Sequence, residues 1–283
     1  MNITNLERSE VLTRALPYIQ KYSGKTVVVK YGGNAMINKE LEELVMGDLV
    51  LLAQVGIRVV LVHGGGPEIN DLLQKVGKVS SFVDGLRVTD RETMDYVSMA
   101  LAGKISKELV SLLQVKGGRA LGISGVDGRL IKARQLDPRL GYVGQVETVN
   151  AALLEDLLEK GYIPVVSTVG CDSEGNVYNI NADTAAARIA GELKAESLIS
   201  MTDIAGILRD KDDVNTLIPK ILASEAPQLM REGIISGGMI PKVECCIEAI
   251  RRGVKKVFIL DGRVPHAILM EILTDEGIGT MFI

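Results

Sequence analysis

The feature that most constrains this chain is a repeated alternation. Short runs of β-branched and aliphatic residues are each followed by a stretch with helical spacing. The runs at 26–30, 58–62, 163–167, 198–201 and 256–260 are apolar throughout. A strand with one face in water alternates; a strand apolar on both faces belongs in a parallel sheet covered on both sides. Helical spacing of apolar residues recurs over 40–54, 67–75, 90–101, 105–116, 151–159, 182–193 and 241–251. Strand then helix, repeated, predicts an α/β fold with a mainly parallel sheet and ligand sites at the carboxyl ends of the strands.

Two segments depart from that rhythm. Residues 129–149 carry Asp137-Pro138 and several glycines between β-rich pieces, so hairpins beside the main sheet are expected. Ahead of the first strand, Leu6, Val11, Leu12, Ala15, Leu16 and Ile19 mark an amphipathic helix over 6–22. Its apolar face must pack either on its own domain or on another subunit.

Composition narrows the class. The 283 residues suit one large or two modest domains, and 47% apolar with 24% charged residues is ordinary globular usage. With 32 basic against 36 acidic residues, the net charge of −4 gives no bulk attraction to nucleic acid or an anionic membrane, so neither is expected as a partner. No apolar run approaches the ~20 residues needed to span a bilayer. Residues 1–10 lack the apolar core of a secretory signal, and a cytoplasmic protein is expected. Cys171 stands alone and Cys245 adjoins Cys246, which suggests neither a disulfide framework nor a four-ligand zinc site. His63 and His266 are too few for a histidine metal cluster.

Three glycine-rich turns carry the chemistry. Lys30-Tyr31-Gly32-Gly33 follows the first strand, His63-Gly64-Gly65-Gly66-Pro67 follows the second, and Gly237-Gly238-Met239-Ile240-Pro241-Lys242 opens a late helix. Glycine lets backbone N–H groups approach an anion, and a helix N-terminus adds about half a positive charge. Taken singly, any one of them is better explained as a tight strand–helix connection. Two of them carry a lysine, which shifts the balance towards a polyphosphate. The site is not a Walker loop, because Gly24-Lys25-Thr26 has Ile19 where the upstream glycine would stand. No G-x-G-x-x-G follows the first strand, which weakens an oxidoreductase reading.

Two further clusters stand out. Asn179 and Asn181 point the same way if their segment is extended, with amides suited to a carboxylate, an amide or a phosphate. Asn181 is equally suited to capping the next helix, and Asp183 to complementing its dipole. Arg87, beside a helix start, is suited to a bidentate pair with a carboxylate, or is simply a surface arginine.

In this order, Lys30-Tyr31-Gly32-Gly33, His63-Gly64-Gly65-Gly66-Pro67, Gly85-Leu86-Arg87-Val88-Thr89, Asn179-Ile180-Asn181-Ala182-Asp183, Met201-Thr202-Asp203 and Gly237 to Lys242 resemble the amino-acid kinase family. The Gly85–Thr89 and Asn179–Asp183 strings resemble its acetylglutamate branch in particular. The resemblance runs nearly end to end. It implies a three-layer αβα sandwich, an oligomerisation helix over 1–24, an N-acetylglutamate lobe over 25–194 and an ATP lobe over 195–283. The implied reaction is ATP-dependent phosphorylation of the γ-carboxylate of N-acetyl-L-glutamate, a step towards arginine. By the same likeness Lys30 and Lys242 flank the transferring phosphoryl group, Asp183 holds both, and backbone amides of Gly33 and Gly65 join them. Gly65, Gly66, Arg87, Asn179 and Asn181 take the acetylamino acid, and Thr202 and Asp203 belong to the nucleotide site. Magnesium rides on the ATP phosphates, and no prosthetic group is implied.

The leading helix, with Ala15-Leu16-Pro17-Tyr18-Ile19, resembles that of arginine-inhibited hexamers built as trimers of dimers. Tyr18, His266, Glu271 and Gly279 match the arginine-site region of that branch; His266 has the alternative of an ordinary helix cap. Some relatives answer to a PII signalling protein, on which this sequence is silent. A kinase of another branch, acting on aspartate, carbamate or a nucleotide, and a regulatory protein without turnover stay open as alternatives.

Overall fold

The computed structural model describes residues 4–36 and 38–283. Eight strands form one open sheet in the order Lys220–Ile221, Thr280–Phe282, Lys256–Asp261, Ser197–Thr202, Thr26–Tyr31, Arg58–His63, Ile163–Ser167 and Ala120–Ser124. All neighbours run parallel except Lys256–Asp261 and Thr280–Phe282, which are antiparallel. The first strand lies mid-sheet. From it the chain builds outward through Arg58–His63, then crosses back to lay Ser197–Thr202 on the other side. That reversal opens a crevice at the carboxyl ends of these central strands, the usual ligand position in such sheets.

Alternation along each strand feeds two cores. Val27, Val29 and Tyr31 face one layer, with Met46, Leu49, Leu109, Leu113, Ile268 and Ile272 from the covering helices. Val28 faces the other, with Leu154, Leu158, Ala185, Ala186, Val243 and Ile247. The sheet is covered on both sides, which is why its strands read as continuous apolar runs. The Ala182–Glu192 helix, with four buried alanines, lies close against both the Met239–Arg251 helix and the first strand. This brings the N-termini of two helices to the crevice.

The 129–149 region forms the antiparallel pair Ile131–Gln135 and Gly144–Val149, part of a separate four-stranded sheet with Val169–Cys171 and Val177–Asn179. The helices expected over 90–101 and 105–116 are one continuous rod. Arg91–Ser98 passes through a π-helical segment, Met99–Ile105, into Ser106–Val115, and Asp90 caps its start by accepting from the Thr93 N–H at 2.7 Å. Ala120–Ser124 lies outside the expected strand runs: Gly122 breaks the apolar run in its middle, where a Cβ would lie 2.6 Å from Ser106 Oγ.

The leading helix spans Asn5–Tyr22. Tyr22 is buried, and Tyr18 and Ile19 pack on the core beside Leu269 and Ile278. Leu12 and Leu16 remain 75% and 50% exposed, so much of the expected apolar face is uncovered by this chain. The side chains of Leu6 and Val11 lie outside the described part of the molecule.

Candidate active site

The centre of the crevice is a buried carboxylate held between two ammonium groups. Lys30 sits near the carboxyl end of Thr26–Tyr31, Asp183 in the first turn of Ala182–Glu192, and Lys242 in the first turn of Met239–Arg251. Lys30 Nζ lies 3.0 Å from Asp183 Oδ1 and Lys242 Nζ 3.1 Å from Oδ2. Ser200 Oγ also donates to Oδ1 at 3.2 Å. Burial alone raises the Asp183 carboxyl, but the ammonium groups of Lys30 and Lys242 outweigh it and hold it at about 2. The carboxylate is therefore ionised throughout the physiological range. The Lys30 side chain is 7% exposed and that of Lys242 29%, so one lysine is fixed within the protein and the other reaches the rim.

Above this clamp lies a cavity of about 310 Å³. Its lining brings together Lys30, Gly33, Gly66, Arg87, Thr202, Asp203 and Lys242 from five separate segments. Gly33 adopts φ +68°, a conformation that favours glycine. At Gly65 a side chain is excluded for a different reason: a Cβ would stand 2.2 Å from Ile105 Cδ1 and 2.8 Å from Leu101 Cδ2. The π-helical segment thus presses directly on the second glycine turn. Both turns present backbone in a cleft with two cations, an arrangement suited to a polyanion.

Arg87 is buried on the wall of this cavity. Its guanidinium lies over the Phe82 ring at 4.7 Å, Nη2 donates to Gly66 O at 3.3 Å, and Nη1 donates to Ser80 Oγ. Ser80 in turn donates to Asn70 Oδ1 at 3.0 Å. Phe82–Val83 and Leu86–Arg87 form a hairpin whose turn residues, Asp84 and Gly85, both have positive φ. Phe82, Ser80 and Asn70 escaped the sequence reading, although Asp84-Gly85 is a strong two-residue hairpin signal. Asp261, also missed, pairs in register with Thr202 and is clasped by Arg263 through contacts of 2.9 and 2.8 Å.

The two asparagines part company. Asn181 Oδ1 accepts from the backbone N–H groups of Asp183 and Thr184 at 3.0 and 3.1 Å, so it caps the helix that carries Asp183. Asn179 Nδ2 donates to Thr89 Oγ1 at 3.4 Å, and neither asparagine nor Gly65 lines the cavity itself. His63 is fully buried beneath the second glycine turn, its imidazole pushed down to about 4 by that burial and so neutral.

The residues matched to an arginine site lie away from the clamp. Glu271 accepts from the Ile278 N–H at 3.1 Å, and Gly279 packs where a Cβ would be 2.2 Å from Ile259 O. Tyr18 shares the core face with Ile278. His266 turns elsewhere: in a left-handed conformation at the start of Ala267–Leu273, its Nδ1 lies 2.7 Å from Asp48 Oδ1.

Residues 25–261 match the amino acid kinase family, and the chain belongs to it. It is 57% identical to the acetylglutamate kinase of Brachyspira hyodysenteriae, over 99% of this chain and 98% of that one. It is 54% identical to the acetylglutamate kinase of Clostridium beijerinckii, over 99% of both. Within the family it groups with the enzymes of that name. Among solved structures, N-acetylglutamate synthase of Neisseria gonorrhoeae, complexed with coenzyme A and N-acetyl-glutamate, superposes with a TM-score of 0.86 at 28% identity. That match covers 97% of this chain and 63% of the synthase, so the chain spans less than two thirds of that protein. Carbamate kinase of Giardia lamblia shares the fold at a TM-score of 0.68 and 17% identity, over 93% of this chain and 99% of that one.

Proposed function

We propose that this chain transfers the γ-phosphoryl group of ATP to the side-chain carboxylate of N-acetyl-L-glutamate. The observation that carries the reading is the Lys30–Asp183–Lys242 clamp beneath two glycine turns at the switch point of the sheet. A carboxylate oxygen attacks the γ-phosphorus, the bond to the β–γ bridging oxygen breaks, and ADP leaves. The nucleophile, with an ordinary pKa near ~4.3, is already ionised, so no general base is required. What the chain must supply is alignment and positive charge on the transferring oxygens. Lys30 and Lys242 supply the charge, and Asp183 keeps them apart and aimed. Gly33 and Gly65 add backbone N–H donors.

Arg87 and Gly66 lie on the wall assigned to N-acetylglutamate, with Asn179 behind it, joined to Arg87 through Thr89; Thr202 and Asp203 lie on the nucleotide side. In this reading residues 25–194 form the substrate lobe and 195–283 the nucleotide lobe. Asn181 then acts through the helix it caps. Magnesium enters with ATP as part of the substrate. Both Asp183 oxygens are engaged by ammonium groups, a donor set that does not fit a dedicated metal ligand.

The product belongs on a route to arginine, and the reading extends to feedback by that amino acid. Support comes from the exposed apolar residues of the Asn5–Tyr22 helix and its packing beside Ala267–Leu273. It also comes from the Neisseria synthase, whose complex with coenzyme A and L-arginine superposes at a TM-score of 0.82 and 26% identity, over 97% of this chain and 65% of that one. Glu271, Gly279 and Tyr18 are the proposed contacts, and a cytoplasmic hexamer of three dimers the proposed assembly. His266, engaged by Asp48, acts there only if that pair opens.

ADP release with ATP and a panel of N-acetylglutamate, aspartate, carbamate and a nucleotide tests the acceptor. N-acetylglutamate alone should support turnover, and millimolar L-arginine should suppress it. Deleting residues 1–24 should abolish the arginine response and reduce the assembly to dimers. Turnover indifferent to arginine in the full chain contradicts the regulatory part alone.

A further inference from the structure

The second glycine turn is held from beneath by a histidine whose hydrogen bonds leave it one tautomer. His63 Nδ1 lies 2.9 Å from the carbonyl oxygen of Gly64, and Nε2 lies 3.1 Å from Ser167 Oγ. A carbonyl oxygen only accepts, so Nδ1 must carry the proton. In the neutral ring Nε2 is then an acceptor and takes the Ser167 hydroxyl proton. Ser167 Oγ also lies 3.3 Å from Leu101 O, a carbonyl that receives the Ser106 N–H as well and has a second lone pair for the hydroxyl. The chain Nε2–H to Ser167 to Leu101 O is therefore open at that end, and it is the Gly64 contact that selects Nδ1–H. The opposite tautomer would set a ring lone pair against the Gly64 oxygen.

The consequence lies in the geometry of one peptide unit. In a trans peptide the C=O and the following N–H point in opposite directions. Pinning Gly64 O to the imidazole therefore turns the Gly65 N–H away from His63. Among the described residues that N–H has no hydrogen-bond partner, whereas Gly65 O accepts from Ile69 in the helix that begins at Gly66. From the other side, Ile105 and Leu101 bar this glycine from moving or gaining a side chain.

We propose that His63 is a positioning residue for phosphoryl transfer: its Nδ1–H fixes the Gly64–Gly65 peptide with the Gly65 N–H turned off the ring and unpaired, ready to donate to the transferring group. This rests on the kinase reading above. His63 touches neither substrate and moves no proton.

The test separates a donor from a mere filler of space. His63→Asn puts an amide nitrogen the same number of bonds from Cα as Nδ1 of histidine, and so retains the donor to Gly64. His63→Leu fills the cavity without it. His63→Leu should lower kcat and kcat/KM together, on the order of 10–100-fold, with KM for both substrates unchanged, because the lost donor acts in the transition state. His63→Asn should stay within about threefold of wild type, since one donor remains in place. Wild-type kcat in a folded His63→Leu protein overturns the proposal, and so does an equal loss in both variants. If His63→Leu fails to fold, the ¹⁵N shifts of the wild-type imidazole decide: protonation at Nδ1 supports the assignment and protonation at Nε2 overturns it. Wild-type turnover of N-acetylglutamate serves as the separate check on the kinase reading. Should another carboxylate prove the acceptor, the variant-to-wild-type ratio is measured with that one.

Discussion

Two buried aspartates in this protein are managed in opposite ways. Asp183 has an ammonium group on each oxygen and is held at about 2, against a burial effect acting the other way. Asp48, on the inner face of Lys39–Gln54, has among the described residues a single partner, the half-exposed His266, and its Oδ2 makes no hydrogen bond to any of them. Burial there wins over the His266 contact, and the carboxyl is raised. The group between the two lysines is over-supplied with partners. The group between the Lys39–Gln54 helix and the start of Ala267–Leu273 is left under-supplied, and its charge is correspondingly easy to remove.

The contrast is broken most severely at Asp183. Asp183→Asn leaves Lys30 and Lys242 facing each other in a buried site with no carboxylate between them. Loss of a partner from a buried ionic group costs about 3–5 kcal/mol, so the midpoint of thermal or urea unfolding should fall sharply. The kcat should fall on the order of 100-fold or more as the two cations move apart. A variant with unaltered stability would show that the clamp is not what holds the lysines.

Arg87→Ala comes next. A charged hydrogen bond to a substrate carboxylate is worth about 1.5–3 kcal/mol, so KM for N-acetylglutamate should rise on the order of 10–100-fold with kcat little changed. Steady-state kinetics check it, and an unchanged KM would place the substrate carboxylate elsewhere. The smallest effect belongs to Asp48→Asn. The folded protein holds a proton on Asp48 more tightly than the unfolded chain does, so the contribution of this residue to stability falls as pH rises above about 4. Asn removes that titration. At pH 7 the variant should be more stable than wild type by on the order of 1 kcal/mol, and at pH 4 the gain should vanish. Equal or lower stability at pH 7 would mean that the His266 contact compensates Asp48 in full.

The sheet was legible wherever burial on both faces left an uninterrupted apolar run. Lys220–Ile221 and Thr280–Phe282 were not, because two or three residues are too few to show a pattern, and Ala120–Ser124 was not, because Gly122 interrupts its apolar run. The π-helical junction at Met99–Ile105 was hidden too, since a one-residue widening leaves the apolar spacing on either side intact. At the site, each lysine announced itself by standing in a glycine turn. Nothing in the spacing says that Asp183 joins Lys30 to Lys242, three positions separated by 153 and 59 residues of chain; that link came from resemblance. Asn179 and Asn181 show the limit of local geometry: a helix start intervenes, and the second asparagine turns to cap it. Asp48 did carry a signal, a charge among Val45, Met46, Leu49 and Leu52 on the buried face of its helix.

In the proposed reaction two lysines held by one aspartate transfer a phosphoryl group to a carboxylate. Its most direct test traps the acyl phosphate formed from ATP and N-acetylglutamate as the hydroxamate, comparing wild type with Lys30→Ala and Lys242→Ala at matched folded concentrations. Wild type should form hydroxamate steadily, with a loss on the order of 100–1,000-fold in each variant. Hydroxamate formed at the wild-type rate by either variant, or none formed by wild type, would contradict it.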